Sequence, residues 1–211
     1  MRGGLSWRRV GAVLNWKAVA CAMALVASAV ALAPVSASAQ RHARRHARAT
    51  GACPNANLPV RRGSPHKLRA AVLCLVNKQR AAHGLPGLHA APMLNRSAQG
   101  WTNSMVRGDF FSHGSNFAAR ISAVGFLWSS AGENIATGFL TPREVVHAWM
   151  GSTGHCQNIL NPTFRDVGTG VSATPVRGYA TGAGTWTQDF ALPRGQRALS
   201  GNYAPANGCP Y

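Results

Sequence analysis

Acidic residues are what this chain has least of: 5 Asp+Glu stand against 22 Lys+Arg in 211 residues, a formal charge of +17. Charged residues make up only 13%, so the imbalance comes from missing acids more than from added bases. A two-carboxylate glycosidase site or an oxygen-rich calcium cage would consume most of the five, which argues against both. Local metal and nucleophile signatures are missing too: there is no C-x-x-C, no H-E-x-x-H and no G-x-S-x-G. The Gly-rich stretch 168–184 lacks both phosphate-binding spacings, G-x-x-x-x-G-K-[ST] and G-x-G-x-x-G, so a nucleotide site is not expected. No apolar run reaches the roughly 20 residues needed to span a bilayer.

What is present begins with an address. Residues 1–17 carry Arg2, Arg8, Arg9 and Lys17 and no acid, and residues 18–32 are apolar but for Ser28. Pro34 and the small triplet Ala37-Ser38-Ala39 follow. A basic start, a short apolar stretch and an A-x-A site are the parts of a secretory signal peptide, with cleavage expected after Ala39. Export leaves four cysteines, Cys53, Cys74, Cys156 and Cys209, which read as two disulfides with three possible connectivities. The pairing expected is Cys53–Cys74 and Cys156–Cys209, tying the N-terminal arm to the first helix and the C-terminal tail to the domain.

The domain organisation expected is a signal peptide over 1–39, a basic disordered arm and linker over 40–63, and one folded domain over 64–211. Residues 40–50 hold four Arg, two His and nothing apolar larger than Ala, too little to offset ordering entropy. Such an arm serves solubility or adhesion to an anionic surface, such as a cell-wall polymer or lipid. Nucleic acid fits less well, since no interleaved aromatics are there to stack on bases. Four of the seventeen net charges lie in the signal peptide and four in the arm, leaving +9 on the folded part.

Within that part, Leu68, Val72, Leu75, Val76 and Gln79 form a helical stripe that stops at Gly84. A second helix is expected from Pro92, with Leu94, Ala98, Trp101 and Met105 on one face, and a short third over 117–124. Thr141-Pro142-Arg143-Glu144 is a capping box opening a fourth, which gives Glu144 a structural role. Residues 167–171 and 186–191 read as strands with Gly-rich joints. Helices followed by strands suggest α+β, with helices packed on an antiparallel sheet.

Three side chains carry candidate chemistry: His113 after Phe110-Phe111-Ser112, Glu133 in an otherwise apolar stretch, and His155 opening a short turn or helix. Two imidazoles and a carboxylate are donors that zinc accepts, but their spacing is long. On spacing alone, a buried His–Glu pair stabilising the fold is the stronger reading, and a metal site the weaker.

At these residues the chain resembles the CAP superfamily (SCP domains: cysteine-rich secretory, antigen 5 and pathogenesis-related proteins), most of all its short bacterial members. The matching blocks are Leu75-Val76-Asn77-Lys78-Gln79-Arg80, Phe111-Ser112-His113, Gly132-Glu133-Asn134-Ile135-Ala136, Val145-Val146-His147-Ala148-Trp149-Met150, Gly154-His155-Cys156-Gln157-Asn158-Ile159-Leu160, Val167-Gly168-Thr169-Gly170-Val171 and Trp186-Thr187-Gln188-Asp189-Phe190. They occur in the family's order over about 68–191. The resemblance implies a three-layer α-β-α sandwich with a shallow cleft lined by two His and two Glu, through whose histidines several members bind zinc or another divalent ion. His113, Glu133 and His155 match three of these positions, and the fourth, a Glu in the family, falls on Ser152. His147 matches none and reads as a surface or satisfied histidine.

The resemblance implies first a secreted, monomeric binding module for a lipid, sterol-like molecule, cell-wall polymer or protein, with a cleft able to hold zinc or another divalent cation. The alternative is a zinc-dependent hydrolase, with His113 and His155 as ligands and Glu133 as general base. A Ser152–His155–Glu133 triad is a third, weaker reading.

Overall fold

The computed structural model describes residues 51–199 and 208–211. The expected signal peptide and the arm over 40–50 lie outside them. Among the described residues, five helices and four strands follow in the order α1 (Pro65–Ala82), β1 (His89–Ala90), α2 (Pro92–Gly108), α3 (Phe117–Ala123), β2 (Trp128–Thr137), α4 (Pro142–Met150), α5 (Thr153–Ile159), β3 (Asp166–Ser172) and β4 (Thr185–Pro193). The strands form one sheet in the order β1-β3-β4-β2. Its three long strands are antiparallel, as expected, whereas the two-residue β1 runs parallel to β3. The architecture is the expected α+β sandwich, with α2 against β3 and β4 on one face and α1 on the other, where α4 and α5 join it.

The helices begin where their capping chemistry lies. Ser64 accepts from Lys67 N ahead of Pro65, and Thr141 and Glu144 complete the capping box of α4, with Glu144 also accepting from Leu140 N at 2.8 Å. Leu68, Val72 and Val76 bury the stripe of α1 against Val145, Trp149, Ile159, Phe164, Trp186 and Phe190. Removing a side chain such as Phe190 from water contributes about 2–3 kcal/mol.

The stripe continues onto Arg80 and not onto the expected Gln79. Arg80 is fully buried and donates to the carbonyls of Pro86, Ile159 and Asn161 at 2.8–2.9 Å. Desolvation, with a contribution from Arg165, pushes its guanidinium down to about 10. Three carbonyl dipoles take the place of a counter-ion, so Arg80 is a cross-brace between α1 and the end of α5.

The linker portion of 40–63 needs correcting. Residues 53–63 are folded onto the domain: Cys53, Ala56 and Val60 are buried, Val60 N donates to Leu140 O, and Arg143 N donates to Ala56 O. The short apolar side chains of this segment fill the gap beside α4, and the disulfide to Cys74 fixes them there. The second bond, Cys156–Cys209, is also as expected.

On the α2 face, β3 carries Gly168 and Gly170. A Cβ at either would collide with the backbone of α2 at Leu94–Asn95 or Ala98–Gln99. The helix therefore lies close enough for short amide side chains to reach the strand. Asn95 Oδ1 accepts from Thr169 N at 2.8 Å, and Gln99 accepts from Val171 N and donates to Val171 O at 3.1 and 3.0 Å. These amides satisfy the edge of β3 where β1 has already ended.

Candidate binding cleft at the β2 edge

At the opposite edge, β2 pairs only with β4, and Glu133 stands across from Asp189, which itself stands across from Gly168. Both carboxyls therefore project toward α2 and α3. The Glu133 side chain is 1% exposed, and its oxygens are held by His113 Nδ1 at 2.8 Å and Arg120 at 2.5 Å. Arg120 also lies over the Trp101 ring, 3.7 Å from its centroid, so one guanidinium is held between a ring face and a carboxylate.

His113 sits on the loop leaving α2, and the local sequence explains why it is there. Asp109 turns the chain in the left-handed region, Trp101 Nε1 donates to Ser112 O at 3.0 Å, and Ser112 Oγ accepts from Gly114 N. Gly114 has φ +70°, and a Cβ there would press on Trp101. The His113 side chain is 47% exposed, so the His–Glu pair is half open and not the buried pair expected.

His155 is brought from the other face of the sheet by α5. Asn134 donates to His155 O at 3.2 Å, while Asn158 donates to Glu133 O and Asn134 Oδ1 at 3.1 and 2.9 Å. These side-chain amides fasten α5 to β2. Desolvation, then the neighbouring His113, holds the His155 ring below the usual histidine range and favours its neutral form.

The cleft above these residues encloses about 320 Å³. Phe111, Ile135, Phe139, Trp149 and Tyr179 line it, with Ser152 and His155 as polar wall residues. Ser152, at the N-cap of α5, makes no capping bond. The triad Ser152–His155–Glu133 is not connected by hydrogen bonds, because Glu133 binds His113 and not His155. His147 is exposed on α4, away from the cleft, as expected.

A zinc ion needs three or more N, O or S donors beyond any water. The Glu133 contact leaves the other ring nitrogen of His113 open, and His155 offers a neutral ring. The third donor is missing, since both Glu133 oxygens are engaged and Ser152 brings no carboxylate. Among the described residues no group of three or more His, Cys, Asp or Glu is placed to hold a metal ion. These residues do not by themselves fit a resident zinc.

Two residues of this network were not singled out from the sequence. Arg120 fixes Glu133. Asp189 is buried beside Glu133, with the buried Ser97 as its neighbour. Burial, then the Glu133 charge, pushes the Asp189 carboxyl up to about 8, with Ser97 and Arg120 opposing, which favours its protonated form. Only the cross-strand register, absent from any local motif, could have pointed to it.

A sheet with helices on both faces and a His–Glu–Arg network at one open edge defines an α-β-α sandwich with an edge cleft. The model of the Cysteine-rich secretory protein family (CAP) matches residues 73–190, and the chain belongs to that family. It is 39% identical over 124 residues to the uncharacterized protein YkwD of Bacillus subtilis, covering 56% of this chain and 45% of that one. The chain thus spans less than half the length of this curated relative. Among solved structures it is similar to an extracellular SCP-domain protein of Bacillus anthracis, at TM-score 0.52 and 26% identity, over 61% of this chain and 44% of the other. An outer surface protein of Borrelia burgdorferi shares the fold at TM-score 0.50 and 19% identity, over 56% of this chain and 87% of the other. No helix among the described residues is long and apolar enough to cross a membrane.

Proposed function

We propose that this chain is an extracellular, non-catalytic binding module whose cleft takes a lipid-like ligand: an apolar body against Phe111, Ile135, Phe139, Trp149 and Tyr179, and a polar head against Ser152 and His155. One observation carries the reading: the walls are mostly aromatic and aliphatic, while Glu133, the carboxylate bound to His113, has both oxygens committed. A carboxylate so engaged orients His113 and is poorly placed to take a proton from water. Export is supported by the signal-peptide pattern, by two disulfides, which persist in oxidising compartments, and by structural relatives that are extracellular or outer-surface proteins. The basic composition of residues 40–50 supports retention at an anionic cell wall.

The test is titration with a fluorescent long-chain fatty acid. Saturable binding is expected, weakened at least about tenfold by Phe111→Ala or Tyr179→Ala, the equivalent of about 1.4 kcal/mol. Binding indifferent to both substitutions would overturn the cleft reading. The metal and hydrolase readings return if zinc raises the melting temperature and His113→Ala abolishes that rise.

A further inference from the structure

We propose that the groove between α1 and α2, at the sheet edge opposite the cleft, is a binding site for a phosphate-type oxyanion, held by Arg69, Arg96 and the side-chain amides of Asn95 and Asn103. This site is separate from the cleft, and its failure would leave the cleft reading intact. The groove encloses about 570 Å³, and no acid lines it. The orientation of each amide follows from the strand edge. Asn95 gives its oxygen to Thr169 N, which turns its NH2 outward. Gln99 uses its oxygen on Val171 N and its NH2 on Val171 O, and the same NH2 donates to Asn103 Oδ1 at 3.0 Å. Asn103, one helical turn beyond the last strand contact, therefore also presents its NH2. The groove is thus lined by donors whose acceptors are already spent.

Arg69 supplies the charge. One of its terminal nitrogens donates to Gln99 Oε1 at 2.7 Å, but Nε is buried with no partner. Desolvation holds its guanidinium below the usual value. No carboxylate among the described residues pairs with Arg69 or Arg96. Arg80 also leaves one buried terminal nitrogen without a partner, but its other two nitrogens meet three carbonyls, whereas Arg69 meets the single acceptor of Gln99. The structural duty of the amides is complete without Arg69, because Gln99 engages Val171 through both of its ends. What Arg69 lacks is an anion, and a tetrahedral oxyanion has oxygens enough for two guanidiniums and two amides together.

The experiment follows the side-chain NH2 resonances of Asn95 and Asn103 by NMR. The purified protein is titrated at constant ionic strength with inorganic phosphate, and separately with a short glycerol-phosphodiester oligomer. Saturable shifts are expected, with a Kd on the order of 1 mM or tighter. Arg69→Gln and Arg96→Gln should each weaken binding at least about tenfold. Arg107→Gln, the same charge change at the exposed end of α2, should leave it unchanged. Tighter binding of the oligomer than of phosphate identifies a phosphodiester polymer as the source, and the reverse identifies free phosphate. Absence of saturable shifts with either probe, or equal weakening by Arg107→Gln, overturns the proposal. Should Arg69→Gln fail to fold, Arg96→Gln carries the test, because that exposed side chain makes no hydrogen bond among the described residues.

Discussion

The two edges of the sheet solve the same problem with opposite chemistry. At the β2 edge, charged groups are paired tightly: a buried carboxylate, a guanidinium on an indole face and a half-open imidazole leave aromatic walls free to face a ligand. At the β3 edge, neutral amides satisfy the backbone, and the cations that close the groove have no carboxylate partner. One edge is electrostatically complete and geometrically open, while the other is complete in its backbone and electrostatically unfinished. Scarcity of acids is what separates them: of the five, Glu133 lies at the first edge with Asp189 beside it on β4, and none lines the groove at the second.

Breaking the charged edge should have the largest effect. Glu133→Gln leaves Arg120 without its counter-ion over Trp101 and is expected to cost about 3–5 kcal/mol, read from the denaturation midpoint. A loss near zero would mean that Arg120 finds water and that the edge is less closed than its burial implies. Gln99→Leu at the neutral edge strips Val171 of both its side-chain partners and should cost about 2 kcal/mol. It should also detach Arg69, moving the amide resonances of Asn103.

The smallest effect is a slope. Asp189 is raised far above its unfolded value, so the folded protein binds the extra proton, and stability falls as pH climbs toward the folded value of about 8. Between pH 7 and 8 wild type should lose up to about 1.4 kcal/mol per pH unit. Asp189→Asn should flatten that slope, and equal slopes in both proteins would show that Asp189 is already ionised.

What the sequence made legible was governed by local rules. The capping box at Thr141, the Pro-led starts of α1 and α2 and the strands around Val167 and Trp186 all follow from residues within one turn or one pleat. So does the choice of His113, Glu133 and His155, once their blocks were matched to a family. Strand β2 was not foreseen, because Gly132, Glu133 and Asn134 are poor strand formers. Burial through residues 132–136, on both faces, also removes the alternation that betrays an edge strand. Asp189 meets Glu133 only through pairing across 56 residues, and Arg120 reaches it from a separate helix. The folded state of residues 53–63 likewise depends, beyond the expected Cys53–Cys74 bond, on backbone bonds to the start of α4 that a polar, Pro-rich segment does not reveal.

The glycines of β3 have one further consequence, which is metrical. Four residues of helix advance about 6.0 Å and two residues of strand about 6.8 Å. Asn95 and Gln99 therefore fall beside Thr169 and Val171 as matched graduations on two rulers, lying at contact distance only because Gly168 and Gly170 have no side chains. The mismatch of about 0.8 Å per step accumulates. The longer glutamine at the second position supplies one methylene of extra reach. By the third position the strand has ended and Asn103 binds Gln99 instead. A helix and a strand can keep step in this way for about two graduations, and the next side chain in the series is released to meet something else.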